Sequence, residues 1–232
     1  MSDLRSVLSS HSSDFHSVVP FVPGSDKIIL LDFTAANKEL TGEIINDIDR
    51  FNGYIRLLLE SKGALYGIGG YGEHRTVYAR SRVFDAKDGE EPRRLHLGLD
   101  IWGKAGTAVY APLDGAVHSL AFNDHYGDYG ATIILSHSYR GHSFHTLYGH
   151  VSLADLTLEE GTKISRGGVF AHFGEPQENG HWPPHLHFQM ISNIGEAKGD
   201  YPGVCRYSER EQYLSNCPDP DLLAGLYRFV SI

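Results

Sequence analysis

Ala131-Thr-Ile-Ile-Leu-Ser-His137 and Ser143-Phe-His-Thr-Leu-Tyr-Gly-His150 are two short runs rich in β-branched and aromatic residues, separated by a gap containing Arg140-Gly141. Runs of this length with a glycine between them read as a hairpin, not as a helix. Working outward, the same texture recurs at Thr107–Pro112, Ala116–Phe122, Val169–Phe173 and His185–Ile191, with Asp114-Gly115, Asn123-Asp124 and Gly127-Asp128 as punctuation. Six short strands at this spacing predict a mainly β fold, an antiparallel sandwich or barrel. Glycine, 26 of 232 residues, exceeds the usual share of about 7% and fits a turn-rich β protein.

The charge balance limits the function. Lys+Arg 20 against Asp+Glu 29 gives a net charge of −9, and no cluster of Lys and Arg supplies the basic footprint that nucleic acid requires. Apolar residues make up 41% of the chain, enough for a buried core. The longest uninterrupted apolar stretches, such as Ile28–Leu31 and Leu57–Leu59, are too short to span a bilayer. The amino terminus has no basic start followed by an apolar run of signal-peptide length. The expectation is a soluble, cytoplasmic chain that would reach the cell envelope only by a route the sequence does not display. Cys205 and Cys217 are too few for a stapled secreted scaffold and are read as free thiols.

Three parts are expected. Residues 1–75 form an amino-terminal extension: a loosely ordered lead-in of about twenty-five residues, a strand at Lys27–Phe33, and one helix over Thr41–Lys62. In that helix Ile44, Ile48, Phe51, Ile55 and Leu58 recur at 4-3-4-3 spacing, an apolar stripe that must pack on something. Asp47, Asp49 and Arg50 fall off the stripe, and Gly63 is placed to end the helix. Gly67-Ile-Gly-Gly-Tyr-Gly72 reads as a flexible hinge. The extension either completes the core or lies over the site. Residues 76–195 form the β domain, and 196–232 a polar segment whose Leu222, Leu223, Leu226, Tyr227 and Phe229 dock on it.

Chemistry concentrates in three motifs. In Arg94-Leu-His-Leu-Gly-Leu-Asp100 the leucines share one strand face, while His96, Gly98 and Asp100 share the other. Four residues of straight strand span roughly 13 Å, near the limit for two side chains meeting at one ion, and Gly98 lets the backbone bend to close that distance. Pro183-Pro-His-Leu-His-Phe-Gln189 projects His185 and His187 from one face roughly 7 Å apart. Such a pair can put two ligands on one metal, or one ligand and one acid/base. Tyr148-Gly-His150 ends another apolar strand, with His137, His142 and His145 as rivals nearby. Together the motifs supply neutral imidazoles and a carboxylate, the donor set that suits Zn²⁺; three protein ligands would leave one position open for water, as in catalytic sites.

His96-Leu-Gly-Leu-Asp100, then Gly106-Thr-Ala-Val-Tyr-Ala-Pro with Asp114-Gly-Ala-Val, then Tyr148-Gly-His150 and His185-Leu-His-Phe resemble the M23 (lysostaphin/LytM-like) zinc metallopeptidases over roughly residues 94–192. The resemblance implies a β-sandwich of the duplicated-hybrid-motif type, one Zn²⁺ per chain, and endopeptidase action on peptidoglycan cross-link peptides. Carried over by position, His96, Asp100 and His187 match the metal ligands, and His150 and His185 the two catalytic histidines. The sequence departs from the usual family pattern at Asn179-Gly-His-Trp-Pro-Pro184 and at Gln189, which leaves substrate choice open. The competing reading is a non-enzymatic binding or regulatory module of the same fold, or a phosphocarrier like the glucose-permease IIA domain, which has no use for Asp100 at that spacing.

Overall fold

A computed structural model describes residues 3–86 and 89–231. Its strands are β1 (Ile28–Leu31), β2 (Tyr66–Gly69), β3 (Leu95–His96), β4 (Leu99–Trp102), β5 (Ala108–Tyr110) and β6 (Gly115–Asn123). They continue with β7 (Gly130–Tyr139), β8 (His142–Val151), β9 (Lys163–Ile164), β10 (Val169–His172), β11 (His185–Ile191) and β12 (Val204–Cys205). Eight of them make one sheet in the order β1-β2-β4-β11-β8-β7-β6-β9, and β10–β5 and β12–β3 form two small ladders. The β7–β8 hairpin is the one expected at Arg140-Gly141.

The sheet is mixed and not wholly antiparallel, because β1 and β2 pair in parallel. Parallel neighbours need a crossover, and the extension supplies it as α2 (Gly42–Ile45) and α3 (Ile48–Lys62). The single helix expected over Thr41–Lys62 is therefore two. Asp47 breaks it: its carboxylate accepts from the backbone N–H groups of Asp49 and Arg50 at 3.0 and 3.1 Å, an N-cap that starts α3 afresh. The expected stripe packs in part: Phe51 and Ile55 are buried, Ile48 is half-buried outside the cluster, and Leu59, not expected in the stripe, joins it. Phe51, Ile55 and Leu59 are buried in one cluster with Ile29, Leu31, Phe33, Trp102 and Trp182, each contributing roughly 1.5–3 kcal/mol by leaving water. Leu58 and Ile44 are half-buried at the margin of that cluster.

Two further expectations are corrected. The glycine segment is not a free hinge, since Tyr66–Gly69 is a buried strand, with Gly69 opposite Asp100 and Gly67 opposite Trp102. Nor is the lead-in loose: α1 (Leu4–Ser9) is helical, and Leu8, Val18 and Val19 are fully buried in the main core. Each is a short apolar contribution without periodicity, so the pattern of the sequence does not display it. The carboxy-terminal segment docks as expected, with Leu223 and Leu226 in the main core and Leu222, Tyr227 and Phe229 packed against it. Cys205 and Cys217 are free and buried. Among the described residues no helix is long and apolar enough to cross a membrane.

Candidate active site and metal centre

Strand register assembles the site. β11 pairs antiparallel with β4, setting His187 opposite Asp100 and His185 opposite Trp102, while on its other side His187 lies opposite Gly149 of β8, next to His150. Between β3 and β4 the chain breaks at Leu97-Gly98. A Cβ on Gly98 would lie 2.5 Å from the His187 ring, so this glycine both bends the backbone and admits the ring. His96 Nε2 consequently comes within 3.2 Å of Asp100 Oδ1.

Three donor atoms converge there. Asp100 Oδ1 is 3.0 Å from His187 Nδ1, and His187 Nδ1 is 3.0 Å from His96 Nε2. All three residues are buried, and among the described residues they are the group of His, Cys, Asp and Glu side chains whose spacing could hold a metal ion. Their outer partners settle the tautomers. His96 Nδ1–H donates to the Gly70 carbonyl at 2.9 Å, which leaves Nε2 with a bare lone pair. The Gln189 amide donates to Pro202 O at 3.1 Å and to Cys217 Sγ at 3.4 Å, so its oxygen faces His187. His187 Nε2–H donates to that oxygen at 2.9 Å, and Nδ1 is the bare atom. With both rings in their neutral forms, two lone pairs and a carboxylate oxygen face one another, an arrangement that a cation resolves.

The electrostatics agree. Burial pushes the His96 imidazole down to about 4, aided by the Arg75 cation. Burial alone would raise the Asp100 carboxyl, but the Arg75 cation bonded to Oδ2 holds it well below the usual carboxylate range. Neutral imidazole and ionised carboxylate are the forms that bind metal.

His150 and His185 stand beside this group, their ring centroids 4.1 Å apart, and His150 lies 6.3 Å from the His187 ring. Each has its Nδ1–H tied to backbone, His150 to Asn179 O and His185 to Pro183 O, both at 2.8 Å. Both therefore present a bare Nε2. Burial holds His185 at about 4 and His150 well below the ordinary histidine range, so both rest neutral. His150 adopts φ 62°, a left-handed conformation that costs a non-glycine residue about 1–3 kcal/mol. His185 stacks on the Trp102 indole at 3.9 Å and 8°. A cavity of about 170 Å³ opens against Asp100, His150, His185 and His187, walled by Tyr78, Tyr129, Trp182 and Tyr201.

The rival histidines lie elsewhere. His137 is buried, its Nδ1–H donating to Asp114 O at 3.0 Å and its Nε2 accepting from Thr146 at 2.7 Å. His145 meets His118 edge to face at 4.9 Å. His142 is in the β7–β8 hairpin, paired with Tyr139. Sequence reasoning missed Arg75, whose guanidinium bonds Asp100, and Asn179, whose carbonyl orients His150. Gln189 carried a signal, its departure from the family pattern, but not its role as the partner of His187.

Residues 94–198 match Peptidase family M23. A Haemophilus influenzae protein described as an uncharacterized metalloprotease is 29% identical over 127 residues, covering 52% of this chain and 25% of that one, so the match spans about a quarter of the relative's length. Among solved structures, a zinc-containing peptidase from Vibrio cholerae is 26% identical, with a TM-score of 0.33, covering 42% of this chain and 27% of that one. The catalytic domain of lysostaphin from Staphylococcus simulans is 20% identical, with a TM-score of 0.36, covering 53% and 81%.

Proposed function

We propose that this chain, which carries an M23-family peptidase region at residues 94–198, is a zinc metalloendopeptidase acting on peptides of the peptidoglycan cross-link type. In this reading His96, Asp100 and His187 hold one Zn²⁺, and His150 and His185 are catalytic. Residues 76–195 are a peptidase domain of the duplicated-hybrid-motif type, flanked by an extension at 1–75 and a docking segment at 196–232. The observation that carries the proposal is the convergence of two bare imidazole nitrogens and Asp100 Oδ1 within 3.0–3.2 Å. The Haemophilus relative's description as a metalloprotease points the same way.

Bound zinc supplies Lewis-acid activation of water and of the scissile carbonyl. The chain's own residues do the rest. A bare Nε2 on His150 or His185 takes a proton from the attacking water. The imidazolium so formed, still anchored through Nδ1–H, offers Nε2–H to the developing oxyanion and then to the departing amine. The Trp102 stack and the two backbone carbonyls keep both rings aimed at the cavity throughout. The phosphocarrier reading leaves the buried Asp100 between two histidines without a use, and a non-enzymatic module of the same fold would hold the metal without hydrolysing peptide.

The test is metal analysis with peptide hydrolysis. The wild type should carry one zinc per chain and cleave a small Gly- or D-Ala-containing peptide. Asp100→Ala should lose the zinc. His150→Ala and His185→Ala should keep it while losing roughly 10²–10⁴-fold in rate. Zinc retained in Asp100→Ala, or a parental rate in either histidine variant, refutes the assignment.

A further inference from the structure

Arg75 lies outside residues 94–198, the stretch that matches the family, yet it is among the most deeply buried side chains in the protein, 1% exposed. Its Nη1 donates to Asp100 Oδ2 at 2.5 Å and to Tyr78 Oη at 3.2 Å, and its Nε donates to Glu73 Oε2 at 2.7 Å. The guanidinium carbon lies 5.2 Å from the Phe33 ring centre, so the plane is held by packing as well as by bonds. Its Nη2 reaches the Gly70 carbonyl at 3.4 Å, the same oxygen that accepts from His96 Nδ1. One side chain therefore touches the supports of two of the three converging residues.

The two oxygens of Asp100 are divided between these partners. Oδ1 faces His96 and His187, while Oδ2 is spent on Arg75. Resting on the metallopeptidase reading above, we propose that Arg75 is a positioning residue of the metal centre. It pins Oδ2 so that Asp100 offers a single oxygen to the ion, and it steadies His96 through the shared Gly70 carbonyl. The segment preceding the family-matched region is thereby part of the centre. Local structure is built for this contact: Gly69 pairs with Asp100, and a Cβ there would come within 2.6 Å of Arg75 Nη2. Glu73 supplies the second carboxylate, so the buried cation sits between two anions and Asp100 does not neutralise it alone. A fork of fixed donors suits this task and a lysine does not, because the bonds to Oδ2, Glu73 and Gly70 O leave one planar group in three directions.

The experiment titrates the full chain, stripped of metal, with Zn²⁺ against a chromophoric chelator and with Co²⁺ by visible spectroscopy. Arg75→Met and Arg75→Lys are compared with wild type after thermal unfolding of each metal-free protein confirms a folded state. Arg75→Lys keeps a buried cation and so guards against loss of folding in Arg75→Met. Expected is a loss of zinc affinity of roughly 10–100-fold, the usual cost of removing an outer partner of a ligand. The Co²⁺ d–d bands should also weaken and shift as Asp100 becomes free to bind through both oxygens. A folded Arg75 variant with parental affinity and an unchanged Co²⁺ spectrum overturns the Arg75 role while leaving the metal site standing. A wild type that binds neither ion overturns the metal reading itself, and the role of Arg75 with it.

Discussion

Phe51→Ala tests whether the extension is structural support for the site. Phe51 is fully buried, with its ring 6.4 Å from Phe33, 5.9 Å from Trp102 and 6.3 Å from Trp182. The Arg80 guanidinium sits 5.6 Å from the same ring. Truncating a buried Phe removes its transfer energy and leaves a cavity, together about 3–5 kcal/mol. At roughly 2–4 °C per kcal/mol for a chain of this size, melting should fall by about 6–20 °C. The effect should not stop at stability. Trp102 is wedged between Phe51 and His185, on which it stacks at 3.9 Å, and Trp182 follows the loop carrying Asn179. A cavity beneath both indoles lets His185 tilt, so hydrolysis measured well below the new melting point should drop while zinc content holds. Differential scanning fluorimetry, metal analysis and a peptide assay on one preparation decide it. A melting temperature within about 2 °C of wild type refutes the packing argument. A large destabilisation with a parental rate at low temperature refutes the link from the extension to His185.

Asn179→Ala should lower the rate by about one to two orders of magnitude, the scale of misplaced positioning, with zinc retained. Its side chain bonds Gly174 O, Trp182 O and Trp182 N–H, which fixes the carbonyl that orients His150; an unchanged rate rejects this. His137 should make the fold acid-sensitive far from the site. Burial lowers its folded pKa to about 4 against about 6.5 unfolded, so between those values the unfolded chain binds the extra proton. That stability is fully present above about pH 6.5 and is lost as pH falls towards 4, up to about 3 kcal/mol. Urea unfolding at pH 7 and pH 5 should show a smaller loss in His137→Gln than in wild type, and equal losses would sink the claim. Proteolytic nicking within residues 67–72 should lower activity and never raise it, because Gly69 pairs with Asp100 and Gly70 holds His96; activation would revive a covering role for the extension.

What was legible in the sequence is what a strand's period of two can encode. His96 and Asp100 share a face, His185 and His187 share another, and Gly98 marks the place where the first strand must yield; the register of β4 on β11 then brings the two faces together. What was not legible depends on backbone or on single residues without a pattern. Gly67 and Gly69 read as slack, yet in β2 they are absences that neighbours fill: a Cβ on Gly67 would strike Leu31 at 2.6 Å, and one on Gly69 would strike Arg75. A glycine admitting a close neighbour and a glycine granting freedom look identical in a sequence, and only the pairing partner separates them. Asp47 likewise read as the polar side of one helix, whereas its carboxylate starts a new one. The orienting groups on His96, His150 and His185 are main-chain carbonyls of Gly70, Asn179 and Pro183, and a carbonyl carries no residue identity. The consequence is asymmetric. The residues proposed to meet the ion or the substrate belong to short motifs with spacing, while those that aim them are scattered from Gly70 to Gln189 and are found only once the chain is folded.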